Sequence, residues 1–428
     1  MQWDSVDKTC ARILDLPGRR LSGLALVVMS GGKIIHEGYF GVRRFAADRG
    51  PVPGGPPGAA GDQPVDRHTR WRAASLSKPV TTLGALKLMD RGLLEADRDL
   101  SEYLGFTLRN PHFPQTPITL RMLLGHTSSL RDAEFYYPPL SRKIEDLLVP
   151  GGAYYQDGIH FAAPEAGADR SPGHTYCYCN LGYGILGNVV EKISGLRFDL
   201  YMQKEILGPL GLDASFNPAL LSEAHFDDLS PIYRKCPSDS EDWNPNGPWI
   251  PQIDNYRGVR PSLPVRVPRD SLGPFSLDDY RLGDNGSLFS PQGGLRICAR
   301  DLAKIAAFIL GDGEGLLSER SLRMMRDPRW RRDEESRNAV DENVKAYATG
   351  FGLMQSEGTD GNPGPWGHHG NAYGLLGGLY LFPETDSAYV YFIGGTGARP
   401  ESNLGSTSGH FTWEETLRKS VEGTLAKS

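Results

Sequence analysis

Three short stretches hold residues whose types and spacing could do chemistry. The first is Ser75-Leu76-Ser77-Lys78, a hydroxyl and an amine three residues apart, after Ala73-Ala74 and ahead of a good helical run. At that spacing on a helix both side chains share one face. A lysine kept partly neutral by burial can take the serine proton. The positive end of the helix would stand where an oxyanion forms. Taken alone, Ser-x-x-Lys is a short pattern that a solvated helix lysine meets equally well.

The second stretch is Tyr178-Cys179-Asn180, about a hundred residues on. A phenol beside a lysine cation has its pKa pulled down, and the phenolate can act as a base. An asparagine two positions later can donate to a substrate carbonyl or hold the lysine. The bland alternative is a buried aromatic followed by an asparagine that caps a helix. Cys177 and Cys179 flank the tyrosine, where packing is the expected role and a thiol nucleophile the rival. The third stretch, Gly367-His368-His369-Gly370-Asn371, reads as a glycine-flanked edge strand. Such a strand lets a substrate approach the backbone closely, and its amides can complete an oxyanion hole with that of Ser75. No carboxylate or third histidine sits at ligand spacing from His368-His369, so a metal is not expected, and no cofactor is implied.

These stretches need elements to position them. Residues 4–16 read as an amphipathic helix. Residues 22–30 and 34–40 read as two strands around Gly31-Gly32. Residues 46–66, rich in Pro and Gly, predict a surface loop. A helix over 78–93 carries Pro79 in its first turn, where proline is tolerated, which puts Ser75 at a helix start. Further helices are expected over 118–125, 182–195, 198–208, 299–310 and 411–426. Strands over 375–382 and 387–394 flank the turn Pro383-Glu384-Thr385-Asp386. Residues 218–287 have little periodicity and are long for a connection, which suggests a lid or substrate-binding insert. Its Trp243, Trp249, Tyr256 and Tyr280 would either wall an acyl pocket or pin the insert to the core. The order of strand pair, helical middle, strand pair and helix predicts an α+β fold. An antiparallel sheet flanked by N- and C-terminal helices would carry an inserted, mostly helical lobe.

In this order the three stretches resemble the serine β-lactamase and penicillin-binding protein superfamily, most of all its class C-like branch. That branch includes family VIII carboxylesterases, D-aminopeptidases, D-amino-acid amidases and natural-product acyltransferases. Ile118–Ser128, Pro209–Leu212, Gly293-Gly294-Leu295 and Ala299–Leu302 support the likeness. It implies one catalytic domain over 1–428. About 1–75 and 290–428 would form the sheet lobe, and about 76–289 the helical lobe with the insert 218–287. It also implies Ser75 as nucleophile, Lys78 as the residue assisting its deprotonation and tuning Tyr178, and Tyr178 as general base and proton shuttle. Asn180 would orient substrate or Lys78. His368 and Gly370 fall in the Lys-Thr-Gly element with histidine for lysine, and the amide of Asn371 would be the second oxyanion donor. No Gly-x-Ser-x-Gly elbow frames Ser75, which argues against an α/β-hydrolase.

The histidine departure sets an expectation about substrate. A fixed lysine cation would meet the carboxylate of a β-lactam, whereas histidine, with a pKa near ~6.5, is often neutral. An esterase-like hydrolase of small-molecule esters or amides is therefore expected, rather than an efficient β-lactamase. The alternative is an acyltransferase passing the acyl group to an amine or alcohol, and beyond it a non-catalytic binding protein on the same fold. The net charge of −6, with no basic block, argues against nucleic acid and anionic membrane as partners. No apolar run approaches the ~20 residues of a membrane span. The N-terminal sequence lacks the pattern of a signal peptide, and five scattered cysteines suit a reducing compartment, so a cytoplasmic location is expected.

Overall fold

The computed structural model describes residues 2–48, 61–238, 240–264, 276–340 and 344–427. The apolar run Gly23–Ser30 forms strand β1, turns through Gly31 and Gly32, and returns as β2, Lys33–Arg44. Both glycines have positive φ (54° and 70°), the backbone that a tight hairpin of this hand requires. The other strands of the main sheet are β3 (Gln63–Pro64), β4 (Trp330–Arg331), β5 (Ala346–Thr349), β6 (Met354–Glu357), β7 (Pro363–Ala372), β8 (Leu375–Phe382) and β9 (Ser387–Ile393). They make a nine-stranded sheet in the order β3-β2-β1-β9-β8-β7-β6-β5-β4. Its pairings are antiparallel, and β1 lies along β9 from Leu24 opposite Ile393 to Ser30 opposite Ser387. The two ends of the chain thus build one sheet.

β1 is a continuous apolar run because both of its faces are covered. Leu24, Leu26 and Val28 face helices α1 (Asp4–Leu14) and α5 (Thr412–Leu425), packing with Val6, Ile13, Trp413 and Leu417. Ala25, Val27 and Met29 face the main core, which contains α2 (Ser77–Asp90), α3 (Leu181–Ser194) and α4 (Ala299–Leu310). Nearly every residue of α2 is buried, as befits a helix at the centre of a core rather than on its surface. No described helix is long and apolar enough to cross a membrane.

The expected helices and hairpins are present within a few residues, and the α+β architecture is the one the element order predicts. Two features differ. The strand carrying His368 is interior, paired with β6 on one side and β8 on the other, not an edge. Its neighbours β4, β5 and β6 are strands of two to four residues, too short to show a period in the sequence. The helix Glu319–Arg326 was also unforeseen, although Ser318 caps it by accepting from Ser321 N.

Within the insert, Ile232–Arg234 pairs with Ile250–Ile253, and Asp254 is locked to Arg296 by an ion pair whose side chains are fully buried. Trp249 and Tyr280 pin it to the rest of the chain, while Tyr256 and Trp243 pack within it. Trp249 stacks on Phe45, Tyr256 on Phe226, and Tyr280 packs edge-on against Phe289 while donating to Glu191 at 2.6 Å. Arg234 lies over Trp243. Parts of two expected loops, residues 49–60 and 265–275, lie outside the described residues.

Candidate active site

Ser75 sits in a 3-10 turn, Ala74–Leu76, that feeds directly into α2. Ala74 has φ 48°, an uncommon backbone for a residue with a Cβ. The turn is fastened on both sides: Ala73 N donates to Leu295 O at 2.7 Å, and Leu295 N donates to Ser77 Oγ at 3.1 Å. Three residues on, Lys78 is fully buried and its Nζ reaches three acceptors. These are Ser75 Oγ at 3.1 Å, Asn180 Oδ1 at 2.7 Å and Gln292 O at 3.1 Å. Nζ lies 4.7 Å from the ring centre of Tyr178 and 5.4 Å from that of Tyr183. Lys78 is therefore no solvated helix lysine.

Tyr178 OH donates to Ser75 Oγ at 2.7 Å, so the serine oxygen receives hydrogen bonds from amine and phenol together. The expected fall of the phenol pKa does not occur. Burial raises it well above 10.0, and the bond to Ser75 only partly offsets that. Tyr178 is a neutral phenol in the resting site. Its ring is set by His126, 4.6 Å away centre to centre. His126 O accepts from Cys177 N at 2.8 Å and its Nδ1 accepts from Cys179 N at 3.1 Å, clamping the segment on both sides of the tyrosine. Burial holds the His126 ring neutral, with its pKa down to about 3. Tyr176, the other nearby phenol, stacks on Trp330 instead. The Cys179 thiol is buried, its pKa is raised by desolvation, and it packs rather than reacts.

Asn180 occupies the N-cap position of α3, but its side chain does not cap the helix. Its amide spans Lys78 and Asp132, with Nδ2 donating to Asp132 Oδ2 at 2.7 Å. Asp132 performs the capping from a distant loop: its Oδ1 accepts from Asn180 N and Leu181 N, each at 2.9 Å. An acceptor-only carboxylate thus dictates which way the asparagine amide points.

β7 passes directly over the nucleophile turn. A Cβ on Gly370 would come within 3.0 Å of Ala73 O and 3.3 Å of the Leu76 side chain. On β8, Gly377 stands opposite Gly370 and would meet Leu76 at 2.9 Å. The glycine that was expected to admit substrate thus admits the nucleophile turn. Gly370 and Asn371 line a cleft of about 190 Å³ together with Ser75, Tyr178, Asn180, His369 and Val344. His368 is not among its walls. It is buried behind Tyr178, ring centres 6.1 Å apart, with Nδ1 against His369 O at 2.7 Å. His369 faces the cleft in its place. Burial depresses both histidines, His369 to about 4, so neither supplies a fixed cation near neutral pH. A cleft of about 500 Å³ at the far end of α2, lined by Asp90, Arg121 and Arg320, touches none of these residues.

The structure brings Ser75, Lys78, Tyr178, Asn180, Gly370 and Asn371 together and sets His368 one layer back. Residues that sequence reasoning missed are Asp132, His126 as a clamp, Gln292 and His369. His126 lies in the stretch Ile118–Ser128 that supported the family likeness. Asp132 carries no local signal because its partners are 48 and 49 residues away.

A β-lactamase family model matches residues 7–405. The chain belongs to that family. This β-lactamase-family chain is 28% identical over 211 residues to the D-alanyl-D-alanine-carboxypeptidase/endopeptidase AmpH of Escherichia coli, covering 47% of each chain. It is 30% identical over 163 residues to the monacolin J acid methylbutanoyltransferase of Aspergillus terreus, covering 35% of this chain and 38% of that one. The chain thus spans less than half the length of these curated relatives. Its fold matches that of EstCE1, described as a hydrolase with promiscuous acyltransferase activity. The TM-score is 0.62 at 19% identity, over 98% of both chains.

Proposed function

We propose that this chain hydrolyses small-molecule esters or amides through an acyl-enzyme on Ser75. The observation that carries the reading is the convergence of Lys78 Nζ and Tyr178 OH on one serine oxygen, at 3.1 and 2.7 Å. Burial keeps the proton on Tyr178, so the proton vacancy needed for attack falls on Lys78. Lys78 as the free amine takes the Ser75 proton as the oxygen attacks the carbonyl carbon. The tetrahedral oxyanion sits between the backbone amides of Ser75 and Asn371. Tyr178 gives its proton to the leaving oxygen or nitrogen as that bond breaks, and the Lys78 ammonium then returns a proton to the phenolate beside it, because Ser75 Oγ is by now an ester oxygen that cannot relay one. Water then releases the acid by the same steps in reverse. Asn180 keeps Lys78 aimed, and Asp132 keeps Asn180 aimed. The whole chain acts as one catalytic unit, since the sheet lobe is assembled from both of its ends.

Neutral histidines at positions 368 and 369 leave the cleft without the fixed cation that an anionic β-lactam would meet, which favours esterase-like over β-lactamase chemistry. Transfer to an amine or alcohol instead of water is the second reading. The names of the Aspergillus transferase and of EstCE1 favour it. Both readings share one test, the intact mass of the protein after brief mixing with 4-nitrophenyl butyrate, beside Ser75→Ala. The expected result is one added butyryl group on the wild type and none on the variant, with an added amine speeding loss of the adduct if transfer operates. An adduct on Ser75→Ala, or nitrophenol release equal in both proteins, would refute the mechanism.

A further inference from the structure

The loop Ser290–Gln292 serves two sites. Its backbone serves the catalytic centre, where Gln292 O accepts from Lys78 Nζ at 3.1 Å and Pro291 O from Thr81 Oγ1 at 2.7 Å. The side chains of Ser290 and Gln292 line a separate cavity of about 440 Å³, walled by Phe135, Tyr136, Leu140, Tyr154, Ile253 and Tyr373. That volume suits a small organic group.

One wall of this cavity is charged. Arg72, three residues before Ser75, is only 6% exposed. Its Nη2 donates to Ser290 Oγ at 2.9 Å, and Gln292 Nε2 donates to the same oxygen at 3.1 Å. Among the described residues this leaves Arg72 Nη1 and Gln292 Oε1 buried without a hydrogen-bond partner. Asp254, a buried acid whose charge Arg72 helps to stabilise, is already engaged. Arg296 Nε and Nη2 donate to it at 3.0 and 2.9 Å, and Tyr256 OH at 2.9 Å. Among the described residues Arg72 makes no ion pair, and its guanidinium lies 5.8 Å from the ring centre of Tyr373 on the wall of the same cavity, so its buried positive charge has no paired carboxylate there. Such a charge is costly unless an anion arrives to meet it, and a planar guanidinium is well shaped to hold a carboxylate. A half-turn of the Gln292 amide, which keeps its link to Ser290, would add a second donor.

The leaving group must meet Tyr178 to receive its proton, and Tyr178 lines the smaller cleft with His369 and Val344, not this cavity. From Asn371, β7 runs on to Ala372 and reaches the larger cavity at Tyr373. We propose that this cavity is the acyl-group pocket of the Ser75 reaction proposed above. It takes an apolar acyl chain that ends in a carboxylate, held by Arg72.

The test compares mono-4-nitrophenyl esters of adipic and suberic acids with their methyl-capped neutral counterparts, at pH 7.5 and low ionic strength. The expected wild-type result is a kcat/KM at least tenfold higher for one of the acids than for its capped form, as a charge-assisted hydrogen bond gives. Arg72→Gln should bring that ratio to one or below, and Arg72→Lys should restore part of it. Should Arg72→Gln fail to fold, inhibition of the wild type by 4-phenylbutyrate against 4-phenylbutanamide reads the same preference, the acid binding at least tenfold tighter. Turnover of the capped esters through Ser75 with no preference for the acids overturns the carboxylate site alone. Turnover of none of the four esters beyond the Ser75→Ala background overturns the hydrolase reading and this inference with it.

Discussion

Asp132 offers a test of how the site is held, because replacing it by asparagine changes one atom and creates a conflict. The carboxylate Oδ1 caps α3, accepting from Asn180 N and Leu181 N at 2.9 Å, while Oδ2 accepts from Asn180 Nδ2 at 2.7 Å. Asp132→Asn can keep the first role with its remaining carbonyl oxygen. Its new NH₂ then faces the NH₂ of Asn180, donor against donor. Asn180 can relieve this only by turning its amide over, which aims Nδ2 at Lys78 Nζ in place of the Oδ1 that now accepts at 2.7 Å. Either way one charge-assisted hydrogen bond is lost, worth about 1.5–3 kcal/mol. If Lys78 must stay aimed at Ser75 in the transition state, acylation slows by roughly 10–150-fold. The cap survives, so the melting temperature should fall by no more than about 3 °C. Asp132→Ala should instead lose the cap as well and be destabilised by a further ~0.5–2 kcal/mol. The assay is stopped-flow nitrophenol release from 4-nitrophenyl butyrate, with thermal melts of all three proteins. An Asp132→Asn enzyme acylating within twofold of wild type would refute the chain from Asp132 through Asn180 to Lys78.

Gly370→Ala places a methyl 3.0 Å from Ala73 O, which is backbone and cannot swing aside. β7 should shift by a few tenths of an ångström away from Ser75, and kcat should fall at least tenfold with little change in fold, measured by kinetics and circular dichroism. The stability of the whole chain should fall as pH drops below 6.5. Five histidines, His126, His160, His368, His369 and His410, have folded pKa values depressed by burial below the unfolded value of 6.5. The unfolded chain therefore binds more protons in that range, and the stability these rings contribute above pH 6.5 is lost as pH falls toward their folded values. Glu191 and Glu414 work the other way, raised from 4.5 to about 7, with stability lost as pH rises through 7. Asp48, its pKa also raised by burial, works with them, and five groups outweigh three between pH 4.5 and 6.5, so urea midpoints should decline steadily as pH falls over that interval. A flat profile there would show that the rings are not buried neutral.

The sequence by itself settled the parts of this protein whose signals are local. Ser75 and Lys78 share a helix face at a spacing that α-helical geometry dictates, and Pro79 marks that helix's first turn. β1, β8 and β9 are continuous apolar runs bounded by turn residues, and α1 and α5 are terminal amphipathic helices. Tyr178, Asn180 and Gly370 were legible because three weak patterns fell in one order along the chain. Tertiary structure decided what depends on residues far apart. Asp132 looks like any loop aspartate until folding brings it to the start of α3. The pKa of Tyr178 was misread because the nearby lysine is visible in a motif, whereas the complete burial that outweighs it is not. His368 and His369 are adjacent in sequence but alternate across a strand, so only the placement of β7 determines which ring faces the cleft. Arg72 reads as one more basic residue beside Trp71; only folding buries its guanidinium on a cavity wall, with Nη1 unpartnered among the described residues and Asp254 already taken by Arg296.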